Sequence, residues 1–134
     1  MAASEQFWIY FTLVGDFEVA SVTRELGLVP TEGWTSSRND ERKMSRWSLE
    51  SRLNETTSVS EHIQDVINQL ASCSDKVLAL RRRFNGWIQV VGHFYSDSSS
   101  FHVDAGVLAQ CSALQLGIDV DFVYFNEVKR ESVQ

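Results

Sequence analysis

Arg24-Glu25-Leu26-Gly27-Leu28-Val29-Pro30-Thr31, with Gly33-Trp34 just beyond and Arg46-Trp47-Ser48-Leu49-Glu50 further on, is the stretch on which the reading turns. Val19, Val22 and Leu26 recur at helical spacing up to it. Gly27 then suits a helix C-cap, since glycine takes a positive φ without strain. Pro30, the single proline of the chain, keeps a helix from restarting. Residues 31 to 45 are polar and charged and read as a long loop. Trp47-Ser48-Leu49 alternates and reads as a short strand.

Upstream, Phe7-Trp8-Ile9-Tyr10-Phe11-Thr12-Leu13-Val14 is aromatic and β-branched with two apolar faces, the pattern of a central strand. Downstream, Ser58-Val59-Ser60-Glu61 fits a capping box before an apolar helical stripe from Ile63 to Phe84. The stripe falters at Ser72-Cys73-Ser74-Asp75, where a kink is expected, and Asn85-Gly86 ends it. Trp87 to Tyr95 alternates as a strand, and Ser96 to Ser100 turns. Phe101-His102-Val103 reads as a short strand, and Asp104 as the cap of a helix carrying Val107, Leu108, Cys111 and Leu114. Gly117 stops that helix, Ile118 to Phe125 reads as the last strand, and the polar tail from Asn126 to Gln134 is expected to fray.

The expected order is β-α-β-α-β-β-α-β. Without its first two elements it is βαββαβ, so the expectation is an α+β fold. Its sheet would be mostly antiparallel and ferredoxin-like, with an N-terminal βα extension and helices packed on one face. The chain has 134 residues, the length of one domain, with a core expected over about 5–125. At 43% hydrophobic and 22% charged it has a globular composition. Its net charge of −6 repels phosphate backbones, which argues against nucleic acid and anionic membranes as partners. No apolar run reaches the ~18 residues of a membrane span. Cys73 and Cys111 form neither a disulfide framework nor a CxxC pair. A soluble protein of a reducing compartment, by default the cytoplasm, is expected.

The ordered set Leu26 to Thr31, Trp47-Ser48, and Leu116-Gly117-Ile118-Asp119 leading to Asp121-Phe122-Val123-Tyr124 resembles the bacterial domain of unknown function 4279 family over about residues 5 to 125. The chain departs from that pattern in its charged segment before Trp47 and in the lack of a proline at the break of the middle helix. The resemblance implies an α+β fold and supplies no reaction or catalytic residue.

Three groupings carry chemistry. Trp34, Arg38, Arg42, Lys43, Arg46 and Trp47 set basic groups beside indoles, which can grip an anion through arginine and stacking; a solvated loop with Trp47 packed inward is the plainer reading. His93 and His102 would approach if their strands paired, yet a metal site needs a third ligand that no spacing supplies, so no metal and no cofactor is expected. No nucleophile-elbow pattern surrounds any serine, Cys111 lies in an apolar stripe, and Arg81-Arg82-Arg83 suits the last turn of a helix. Finally, a sheet covered on one side would carry Trp8, Tyr10, Trp87, His93 and Tyr95 on its other face, to be covered by a partner, a second copy or a ligand.

The expectation is therefore a non-catalytic binding or interaction module, immunity-like by analogy or dimeric, meeting a protein partner or itself. The contact residues are Trp34, Arg38, Arg46, Trp47, Trp87, His93 and Tyr95, with no catalytic residue. The alternative is an enzyme or sensor for a small anionic ligand, with Arg38 or Arg46 as anchor and His93 as base.

Overall fold

The structure is a computed structural model that describes residues 5–38, 42–97 and 99–125. In chain order it runs β1 (Gln6–Gly15), α1 (Val19–Leu26), β2 (Glu32–Arg38), β3 (Arg42–Glu50) and α2 (Val59–Leu70). A 3-10 turn (Ala71–Cys73), α3 (Ser74–Arg83), β4 (Asn85–Phe94), α4 (Ala105–Ala113) and β5 (Gly117–Tyr124) follow. All five strands form one sheet in the order β2-β3-β1-β4-β5.

β1 is the centre of that sheet, as its two apolar faces predict, and it pairs antiparallel with β3 and with β4. Phe7, Ile9, Phe11 and Leu13 are buried on one face and face the helices. Val22 and Leu26 of α1, Ile63, Val66 and Leu70 of α2, Val77 and Leu80 of α3, and Val107 and Cys111 of α4 join them in one core. The fold is thus two layers, with the helices on one side of the sheet.

Local chemistry sets the end of α1 and the start of α2 where the sequence places them, whereas Asn85-Gly86 and Gly117 stop no helix and instead open β4 and β5. Gly27 adopts φ 71° and donates its N–H to the Thr23 carbonyl at 2.8 Å, closing α1. The Ser58 hydroxyl accepts from the Glu61 N–H at 3.2 Å and caps α2. The break expected at Ser72-Cys73-Ser74-Asp75 is the 3-10 turn between α2 and α3. Asp104 precedes α4, but its side chain makes no capping bond. Its carboxylate instead meets His102 Nε2 at 3.0 Å.

Three expectations are corrected. Residues 32–38 and 42–45, expected as loop, are strand: β2 and β3 pair antiparallel, with Trp34 opposite Arg46 and Thr35 opposite Ser45. The helix-facing positions of the pair include Gly33, Thr35 and Ser45, so hydrophobic alternation does not show. Ser45 donates to the Phe17 carbonyl at 2.5 Å and sits 2.7 Å from the Thr35 hydroxyl, which satisfies the buried polar atoms. Gly33 lets α1 approach, since a Cβ there would stand 2.6 Å from Val19.

Phe101-His102-Val103 is no strand and pairs with none among the described residues. The Ser60 hydroxyl takes the place of a ladder, donating to the His102 carbonyl at 3.1 Å and accepting the Asp104 N–H at 2.9 Å. The ring of Phe101 packs on Phe7 and Phe122.

The third correction follows from the second. With no hairpin after β4, α4 makes a crossover and β5 returns parallel to β4. The sheet is therefore mixed, not the mostly antiparallel ferredoxin-like sheet expected, and the fold is α+β. A βαββαβ succession does occur, but it comprises β1 through β4 with their helices. The added unit is α4–β5 at the C-terminal end, not a βα unit at the N-terminal end.

Candidate binding face

The side of the sheet opposite the helices is bare of any other described element. Register places Trp8, Tyr10, Thr12 and Val14 of β1 on it, beside Arg46, Ser48 and Glu50 of β3 and Trp87, Gln89, Val91 and His93 of β4. β2 contributes Glu32 and Trp34, and β5 contributes Asp119, Asp121 and Val123.

Two clusters stand on this face. At one end Trp8 and His93 meet edge to face with ring centres 4.5 Å apart. Phe125 packs at 5.2 Å from His93 and stacks on Tyr95 at 5.1 Å and 15°. The Tyr95 hydroxyl donates to Gln6 Oε1 at 3.1 Å, fixing the ring on the sheet.

At the other end Trp34 and Arg46 are cross-strand neighbours. They line a hollow of about 200 Å³ with Tyr10, Glu32, Ser48 and Glu50. Two carboxylates against one guanidinium make that hollow a poor trap for an anion. Burial, and then the Glu50 carboxylate, push the Tyr10 phenol above its ordinary range, so it stays a neutral donor. Between the clusters Trp87 Nε1 donates to Gln89 Oε1 at 2.8 Å, and Gln89 Nε2 donates to Asp121 at 2.8 Å. This amide bridge ties β5 to β4 across the face.

The sequence-derived residues divide. Trp34, Arg46, Trp87, His93 and Tyr95 share the bare face. Arg38 lies in β2, and its side chain falls outside the described residues. Trp47 does not join the group: it is fully buried on the helix side, its indole N–H donates to Thr23 Oγ1 at 3.0 Å, and Phe11 lies edge-on.

Arg46 and His93 lie far apart. Arg46 pairs with Val14 and His93 with Gln6, eight residues along β1, or roughly 26 Å at the rise of an extended strand. One small ligand does not reach both. His93 and His102 are also kept apart, since His102 pairs with Asp104 beside the hollow under Phe101. Among the described residues no three His, Cys, Asp or Glu side chains gather as metal ligands.

Phe125 and the Gln89–Asp121 bridge are absent from the sequence-derived set. Their signal is faint: Phe125 continues an apolar strand, and only the β4–β5 register brings Asp121 to Gln89. The other groupings are structural. Both cysteine thiols are buried, which pushes them up in pKa and leaves them unactivated. Arg81 donates to the Gln115 carbonyl at 2.9 Å, and Arg83 pairs with Glu25 at 3.8 Å and lies over the Phe84 ring. No described helix is long and apolar enough to cross a membrane.

Neither the curated proteins nor the solved structures contain a significant match to the chain. The model of one family, described as Domain of unknown function (DUF4279), matches residues 5–125, all five strands and all four helices among them, and the chain belongs to that family.

Proposed function

We propose that the protein is a non-catalytic binding module whose bare sheet face receives a protein partner. The observation that carries this is the spread of the aromatic and basic side chains over roughly 26 Å of one uncovered sheet face, the scale of a protein contact rather than of a metabolite. Tryptophan, tyrosine and arginine are the residue types that anchor such contacts. Contacts within and between strands already hold the rings of Trp8, Trp87, His93 and Tyr95, so little of their side-chain freedom is lost on binding. The two free, buried cysteines fit a reducing compartment, which supports a cytoplasmic setting.

The hollow beside Trp34 and Arg46 favours a second, narrower reading, a small molecule bound there without His93. With Glu32 and Glu50 flanking Arg46, a zwitterion fits it better than the anion expected from the sequence.

Affinity capture with the wild-type chain and with its Tyr95→Glu and Arg46→Ala variants separates these readings. A protein retained by the wild type and lost with Tyr95→Glu supports the face as a docking surface. Identical retention by all three chains overturns it. Ligand-induced stabilisation lost only with Arg46→Ala assigns the function to the hollow.

A further inference from the structure

The sheet has two outer edges of opposite character. β2 is polar, Glu-Gly-Trp-Thr-Ser-Ser-Arg. β5 is Gly-Ile-Asp-Val-Asp-Phe-Val-Tyr, eight residues with no lysine or proline to blunt an exposed edge, and its only charges are Asp119 and Asp121 on the open face. Val120, Phe122, Val123 and Tyr124 on this one strand are 38, 52, 43 and 48% exposed. Register with Val90, Gly92 and Phe94 puts Val120, Phe122 and Tyr124 on the helix side of the sheet. Phe122 leans inward on Phe94 and Phe101, and its outer side is bare among the described residues.

We propose that β5 pairs antiparallel with β5 of a second copy, about a twofold axis that passes through the sheet at Phe122. Charge selects this register. On the open face β5 carries Asp119 and Asp121. Residues directly opposite in an antiparallel pair share a face, and like charges so placed repel. A twofold centred on Asp119, Val120 or Asp121 sets aspartates opposite each other in every case. Centred on Phe122, it sets Asp121 opposite Val123 and Asp119 opposite Phe125, while Val120 meets Tyr124 and the two Phe122 rings meet each other. Axes further along shorten the paired length.

The apolar side chains left bare on the helix side are then covered by their own copies, and the edge N–H and C=O groups are paired. The twofold is perpendicular to the sheet, so both bare faces point the same way and form one doubled surface. This inference stands on the edge strand and does not depend on what the bare face binds.

Sedimentation equilibrium of the full chain across the micromolar range tests it. The wild type is expected to be a dimer. Val123→Glu places a carboxylate opposite Asp121 of the second copy, and Val123→Lys places an ammonium there. The first should weaken the dimer and the second tighten it, each by about tenfold because the change acts twice across the twofold. Phe122→Cys should cross-link to itself under mild oxidation, whereas Val120→Cys, which faces Tyr124, should not. Trp34→Glu, on the bare face but at the opposite edge of the sheet from β5, should leave the dimer intact. A monomeric wild type overturns the proposal, as do equal effects of the two Val123 variants. A dimer lost with Trp34→Glu and kept with Val123→Glu assigns self-contact to the bare face instead, and also overturns it.

Discussion

The two faces of the sheet are made from the same strands and obey different rules. On the helix side every second residue of β1 is almost fully buried, and its neighbours are fixed by packing from four helices. On the bare side Trp8, Tyr10 and Val14 are only half-buried. There the side chains hold one another through ring contacts and through the Trp87–Gln89–Asp121 chain of hydrogen bonds. Two tryptophans one strand apart show the contrast. Trp47 is sealed beneath α1, and Trp34, on the neighbouring strand, is 40% exposed on the other face. Aromatic residues on the covered side are sealed in the core; those on the bare side stay partly open to solvent.

Breaking the covered side should cost most. Trp47→Ala should lose about 3–5 kcal/mol of folding free energy, because it removes a fully buried ring and leaves a cavity. Trp34→Ala should lose under about 1 kcal/mol. Urea melts of the two variants check this, and similar midpoints would erase the distinction between the faces.

A smaller effect is expected at the entry to the helix layer. Ser58→Ala removes the acceptor of the Glu61 N–H and should cost about 1 kcal/mol, with Ser58→Asp restoring most of it. An unchanged melting curve for Ser58→Ala would mean that packing, not the cap, fixes the start of α2.

The smallest effect sharpens the comparison through pH. His62 lies buried under the sheet with Nδ1 2.7 Å from the Ser51 hydroxyl. Burial lowers its pKa against the weaker opposing pull of the Asn54 backbone and the Asp65 and Glu61 carboxylates. A histidine depressed in the folded state contributes stability that is fully present above its unfolded pKa of about 6.5 and is lost as pH falls through the folded value. His62→Gln should therefore flatten the decline of stability below about pH 6.5. Thermal melts at stepped pH read this slope, and an unaltered slope would move the acid sensitivity elsewhere. Asp65 acts in the same direction at lower pH. Burial raises its carboxyl, but the hydrogen bonds from the Arg52 side chain and backbone outweigh that and hold it below its usual range. Its contribution is present above the unfolded carboxyl pKa and is lost as pH falls through the folded one.

The sequence by itself determined the elements whose signal is local. The two-faced strand at Phe7 to Val14, the Gly27 stop, the Ser58 cap and the break after Leu70 each rest on a few adjacent residues, and each stands where the residues place it. It also grouped Trp8 with Tyr10, and Trp87 with His93 and Tyr95, because a strand alternates with period two; the β1–β4 register is what brings the two groups to one face, as expected. Tertiary structure decided what depends on distant partners. Ahead of Trp47 the β2–β3 pair is invisible to hydrophobic patterning because its inward positions there are Gly33, Thr35 and Ser45, the two hydroxyls being satisfied by the Phe17 carbonyl and by each other. Phe101 to Val103 lacks a strand partner because Ser60, more than forty residues away in the chain, takes its backbone hydrogen bonds. The parallel return of β5 follows from that choice. Whether Trp47 and Arg46, adjacent in sequence, serve the core or the surface was settled only by which face the helices cover.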